Sequence, residues 1–322
     1  MNRLLLVLAA AFVVLGAGAA SAAPPSPGDP AGRDLGIYGV VPVQSQAHGA
    51  HGGGGGGSSG VNLSYHGGKV LRTNRTFAIY WQPSGWTMAG GYTSTIDQYL
   101  QDVAAASGRT DNVYSVETQY YDSTGSIAYS SSFGGSIVDT NPYPASGCSD
   151  SVSQTSNCIS DAQIRSELQR LYAAGQLGAA SASTTYFVFT AKGVGSCYSS
   201  GSCAFSSYCA YHSNVSLGGT TVQYANQPYT DTVASACDAG YYPNGQSTQA
   251  DPTINVVSHE HRESINDPLG TAWYDKRGYE GSDKCAWNFG SLNGNYNQTI
   301  NGHHYALQQE WSNASSGCVL HG

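Results

Sequence analysis

His259, Glu260 and Glu263 are the residues whose types and spacing suggest chemistry, in the stretch SHEHRESINDPLGTAWYDKRGYEGSDKCAW from Ser258 to Trp287. On a helix, positions i and i+4 share a face, so His259 and Glu263 point the same way with Glu260 beside them. An imidazole and a carboxylate at that spacing can hold one metal ion. A glutamate directly after the first ligand occupies the general-base position of a zinc peptidase. The pattern is H-E-x-x-E rather than the commoner H-E-x-x-H. Further carboxylates follow at Asp267, Asp275, Glu280 and Asp283, past a break at Pro268 and Gly270. Glu280 and Asp283, one or both, are the expected third ligands. A charged i, i+4 pair is more often a solvated helix face than a metal site. Here charged residues are only 11% of the chain, yet they crowd into this stretch, which favours a site. Ile254-Asn255-Val256-Val257 leads into the motif, so a half-buried helix is expected.

Other chemistry finds less support. No G-x-S-x-G elbow is present. The run of six glycines after His51 lacks the Lys-Ser/Thr of a phosphate loop. His212, between aromatic and polar residues, reads most simply as a hydrogen-bonded structural histidine. The five tryptophans could stack on sugar rings, although such residues more often pack in the core.

The elements that must position the motif come next. Residues 1–22 have a positive start, an apolar run and an A-x-A site, the pattern of a secretory signal peptide. Residues 23–60, rich in Gly, Pro and Ala, are expected to be a flexible linker. Residues 61–322 are expected to form a single globular domain. Strands are expected at 69–71, 76–81, 114–121, 126–129, 184–190 and 303–311. Helices are expected from Thr93 or Ser94 to 106, at 161–174 behind a Ser160 cap, and at 252–266. Strands interleaved with helices indicate an α/β or α+β fold around a central sheet. Residues 193–238 show little regular pattern.

All eight cysteines lie between Cys148 and Cys318. An even count in an exported chain suggests disulfides. Cys148–Cys158 and Cys285–Cys318 are preferred pairs because their loops are short. Cys197, Cys203, Cys209 and Cys237 are left for two more. The net charge of −8 argues against a nucleic-acid partner. No later apolar run is long enough to span a bilayer, so an extracellular location is expected. The sequence carries no signal for oligomeric state.

Several pieces together resemble the EXORDIUM-like, phosphate-induced family of secreted proteins and its bacterial relatives. They are Tyr65-His66-Gly67-Gly68, Ile79-Tyr80-Trp81, the segment from Cys203 to His212, Ser258-His259-Glu260 with Glu263, Trp273-Tyr274, and Glu280 through Cys285-Ala286-Trp287. The resemblance spans about Asn62 to Cys318. It implies an extracellular, wall-associated protein and supplies no enzymatic activity. The residues themselves lead to a secreted metal-dependent hydrolase, most nearly peptidase-like. His259, Glu263 and Glu280 or Asp283 hold an ion there, and Glu260 is the base. Zinc is the first choice by ligand habit, with manganese or calcium admitted by the carboxylates. The substrate would be a peptide or a wall component. The competing expectation is a non-catalytic wall- or glycan-binding protein with a structural metal site.

Overall fold

Asn74–Trp81, with its FAIYW core, forms a strand deep inside the structure. The computed structural model describes residues 30–50, 61–150, 152 and 157–322. The signal-peptide expectation for 1–22 lies outside the described residues. Six strands make the central sheet: β1 (Ile37–Pro42), β2 (Asn74–Trp81), β3 (Ser131–Asp139), β4 (Thr184–Thr190), β5 (Tyr208–Leu217) and β6 (Thr220–Gln227). Their order across the sheet is β1-β5-β6-β4-β2-β3. The four strands from β6 to β3 run parallel, and β1 and β5 add antiparallel pairs at one edge. The fold is therefore an α/β domain around a mixed sheet, braced by four disulfides.

The three long helices have local causes. Helix α1 (Tyr92–Ala105) buries Ile96, Tyr99, Leu100 and Val103 on one stripe. Helix α2 (Asp161–Ala173) starts at a capping box between Ser160 and Gln163 and buries Ile164, Leu168 and Leu171. Helix α3 (Asp251–Asn266) has Pro252 and an aspartate in its first turn and ends before Pro268. Its residues are buried on every face, not half-buried as expected. The reason is its place: the sheet packs along one side, while α1, a 3-10 turn at Val113–Gln119 and the single-turn helix α4 (Gly281–Lys284) cover the rest.

Several expectations are corrected. Of residues 114–121, those up to Gln119 form that 3-10 turn rather than a strand, because Asn112 accepts a hydrogen bond from the Tyr114 N–H and starts a helical turn; only Tyr121 is in a strand, the short Tyr121–Asp122. Residues 69–71 form no strand, and of 126–129 only Ser126 pairs, in the short strand Gly125–Ser126. Residues 303–311 divide into His303–Tyr305 and Glu310–Ser312. The apparently irregular 193–238 contains the β5–β6 hairpin. Its turn is Gly218-Gly219, both at positive φ, as a two-residue hairpin turn requires.

The linker expectation for 23–60 is also corrected. Ile37–Pro42 is an edge strand of the central sheet, with Ile37, Val40 and Val41 in the core. Its β-branched side chains fit a buried pleated position, and that outweighs the Gly- and Pro-rich composition around them. Residues 51–60 lie outside the described residues. Among the described residues, no helix is long and apolar enough to cross a membrane. The cysteine pairs are Cys148–Cys158, Cys197–Cys203, Cys209–Cys237 and Cys285–Cys318, so both short-loop expectations are met. The last bond ties α4 to the C-terminal hairpin.

Candidate metal centre

Helix α3 presents His259, Glu260 and Glu263 toward β1, β5 and α4, and all three side chains are wholly buried. Nε2 of His259 lies 3.0 Å from Oε2 of Glu263 and 3.4 Å from Oδ1 of Asp283. None of these three atoms makes a hydrogen bond, although each is buried. The three atoms lie within 4.8 Å of one another and could surround a common point. Donors on a tetrahedral ion with bonds of about 2.0–2.2 Å would lie roughly 3.3–3.5 Å apart. The donor set of one imidazole and two carboxylates suits zinc, and also manganese.

The supports of this set are specific. The Gln308 side chain lies 2.8 Å from Nδ1 of His259 and orients the ring. Oε1 of Glu263 accepts from the Asp283 backbone N–H at 2.8 Å, leaving Oε2 for the common point. Oδ2 of Asp283 accepts from the Glu280 backbone N–H at 3.1 Å, leaving Oδ1. One oxygen of each carboxylate is therefore anchored and the other is free, as second-sphere contacts do for ligands.

Glu280, the other expected ligand, turns elsewhere. Its Oε1 accepts from Arg33 Nη2 at 3.0 Å and from the Gly39 N–H at 3.2 Å. Its Oε2 lies 3.9 Å from Nε2 of His212. His212 stands on β5, and its Nδ1 is 3.2 Å from Oε2 of Glu260. Oε1 of Glu260 has no hydrogen-bond partner. The structure thus forms two adjoining groups, His259–Glu263–Asp283 and His212–Glu260–Glu263, joined at Glu263. His212, read from the sequence as structural, belongs to the site. Its place on the strand Tyr208–Leu217 is the signal, in a segment whose sequence shows little regular pattern.

Burial sets the protonation. It raises Glu260 and Glu280 well above the ordinary carboxylate value, and neighbouring negative charge adds to the effect. Glu263 is pushed up to about 7 by burial and by Asp283. Burial drives His212 down to about 3, so its ring is neutral. Burial alone would lower His259 too, but the Glu263 charge and the carboxylate of Asp283 outweigh it and hold its pKa well above 6.5. In the absence of an ion, protons take up the charge of this cluster, and a bound cation would displace them.

Two further residues come from the segment first read as linker. Arg33 pairs with Asp267 at 3.3 Å as well as with Glu280, and it stacks on Tyr274 at 4.0 Å. Gly39 is the extra residue of a bulge, since Tyr38 faces His212 and Val40 faces Tyr211. Its φ is +45°, and a Cβ there would lie 2.0 Å from Oε2 of Glu263 and 2.6 Å from Nδ1 of His212. Only glycine lets the chain pass so close. The run Ile37-Tyr38-Gly39-Val40-Val41 was the sequence signal that could have found this strand. No family model, no curated protein and no solved structure matches the chain.

Proposed function

We propose that this protein is a divalent-cation-dependent hydrolase of peptidase type, with His259, Glu263 and Asp283 as ligands and Glu260 as general base. The observation that carries the reading is the convergence of three buried ligand atoms that hydrogen-bond to nothing. These atoms meet only one another, and in the absence of an ion the contact depends on a protonated His259 ring, so a cation that replaces the proton would complete all three. When bound, the ion would polarise a scissile carbonyl. Glu260 keeps Oε2 on His212 and leaves Oε1 to take the proton of the attacking water. A carboxyl raised by burial holds that proton and can return it to the leaving amine. Zinc is the preferred ion, and the EXORDIUM-like resemblance adds the expectation of an extracellular setting.

One observation favours the second reading, a non-catalytic wall- or glycan-binding protein with a structural ion. Every candidate ligand is shielded from solvent. Against the glycan part of it, Trp81, Trp273 and Trp311 are buried and Trp86 and Trp287 are partly so. Two variants of the full chain separate the readings, assayed on denatured proteins and peptides. His259→Ala should lose the ion. Glu260→Gln should keep ion and fold while its rate falls by about a hundredfold or more. An ion-loaded wild type whose activity is indifferent to both Glu260→Gln and chelation would establish the structural-ion reading instead.

A further inference from the structure

The N-terminal strand lies where a substrate of the proposed hydrolase would have to lie. β1 is an edge strand, held antiparallel on β5 by main-chain pairing from Ile37↔Ser213 to Pro42↔Tyr208. Main-chain pairing to a sheet edge is a general mode of peptide recognition, with side-chain pockets adding selectivity. Here the bulged residue of the strand is Gly39. Its backbone sits against Glu263 and His212, and its N–H reaches Glu280. Six residues before it, Arg33 meets the carboxyl groups of Asp267 and Glu280, both wholly buried. Every element of peptide recognition is present: an antiparallel edge, a close approach over the reactive groups that excludes a Cβ, and an anionic subsite for a basic side chain.

We infer that the site takes a polypeptide strand with a glycine over Glu263 and, on a helical turn six positions before it, a basic residue, and that this chain's own Pro30–Asp34 turn and Ile37–Pro42 strand occupy that groove as a pseudosubstrate. The inference rests on the hydrolase reading for what happens to the occupant, but the groove itself is a matter of main-chain pairing and charge. It accounts for the complete burial of the site, because the chain's own segment covers it. The ordinary substrate would displace Ile37–Pro42 from β5 and exchange one antiparallel strand for another. The requirement for glycine follows from the 2.0 Å clearance between a Cβ at position 39 and Oε2 of Glu263.

The test uses the full chain and a fluorescent synthetic peptide with the sequence of Pro30–Ala47. The double variant Arg33→Ala, Gly39→Ala weakens the resident segment and should bind the peptide with a Kd on the order of 10 μM. Wild type, with its groove filled, should bind at least about tenfold more weakly. A peptide carrying alanine at the position of Gly39, or one of scrambled order, should not bind the variant. Arg33→Ala alone, which leaves the bulge intact, should give the same ranking with a smaller gain, and guards against misfolding of the double variant. Circular dichroism establishes that each variant is folded. A folded variant that binds no peptide, or binds the scrambled one equally well, overturns the inference. Titrations are run with and without chelator. A wild type without an ion would defeat the hydrolase reading alone, since peptide binding still reports on the groove.

Discussion

The two sides of helix α3 each carry a buried histidine beside charged residues, and they treat that histidine in opposite ways. On one side, His261 has both ring nitrogens engaged: Nδ1 lies 3.0 Å from the Tyr114 hydroxyl and Nε2 lies 2.8 Å from Oδ1 of Asn74. Burial and the nearby Arg262 lower its pKa to about 3, so it is a neutral structural histidine. Next to it, Arg262 lies 2.8 Å from Oε2 of Glu310 and donates from Nε to the Ser258 carbonyl. On the other side, His259, Glu260 and Glu263 crowd together, and the positive charge that faces their carboxylates comes from the His259 ring and Arg33. Arg262 Nη1 and Nη2 and Glu310 Oε1 also lack hydrogen bonds, so the contrast lies in His261, whose ring is fully partnered, against His259, whose Nε2 meets only the carboxylates. The comparison also shows that a histidine in a motif is not a ligand by virtue of its type. Partners decide.

The largest contrast should come from removing charge on each side in chelator. Arg262→Ala strands Glu310 in the core and should cost about 3–5 kcal/mol of unfolding free energy. Asp283→Asn removes one of several like charges and should leave the ion-free protein as stable or more so, while lowering ion affinity at least about a hundredfold. Urea denaturation and metal analysis measure both, and equal destabilisation by the two variants would erase the distinction between the sides.

pH should sharpen it next. Glu263 has a folded pKa of about 7 against 4.5 when unfolded. The folded state therefore binds the extra proton, and ion-free stability is greatest below about pH 4.5, falling as pH rises toward 7. Glu260 and Glu280 shift in the same direction and add to the loss. A bound ion reverses the sign, because it binds the deprotonated site and is favoured as pH rises. Melting temperatures at pH 5 and pH 8, with zinc and with chelator, should cross. Parallel trends in the two conditions would contradict the ligand assignment.

The smallest effect belongs to the completed side. His261→Leu leaves Tyr114 and Asn74 short of a partner and should cost about 1–3 kcal/mol, with no change in ions bound per chain. Loss of the ion from a folded His261→Leu protein would place His261 in the site after all.

The local part of the structure was legible. Pro252, the apolar run of α3 and the Pro268 stop delimit a helix by short-range rules, as do Ser160 and Gln163 for α2. Thr184–Thr190 shows its strand in its composition, and a short loop suffices for Cys148–Cys158. The i, i+4 rule puts His259 and Glu263 on one face because helix pitch is a local property.

What tertiary structure decided is everything that depends on distant partners. Whether His259 or His261 faces the carboxylates depends on how α3 is rotated against the sheet, and that rotation is set by Asn74 and Tyr114 on one side and by Asp283 on the other. The division of labour between Glu280 and Asp283 follows from Arg33, some 250 positions earlier in the chain. That Ile37–Pro42 becomes a buried strand follows from pairing with Tyr208–Leu217, a strand whose own Gly218-Gly219 turn escaped notice. Helix caps and short loops are written within a few residues, so sequence alone determined them. Edge pairing and a shared charge cluster are sums over remote segments, and only the folded chain brings those segments within reach of one another.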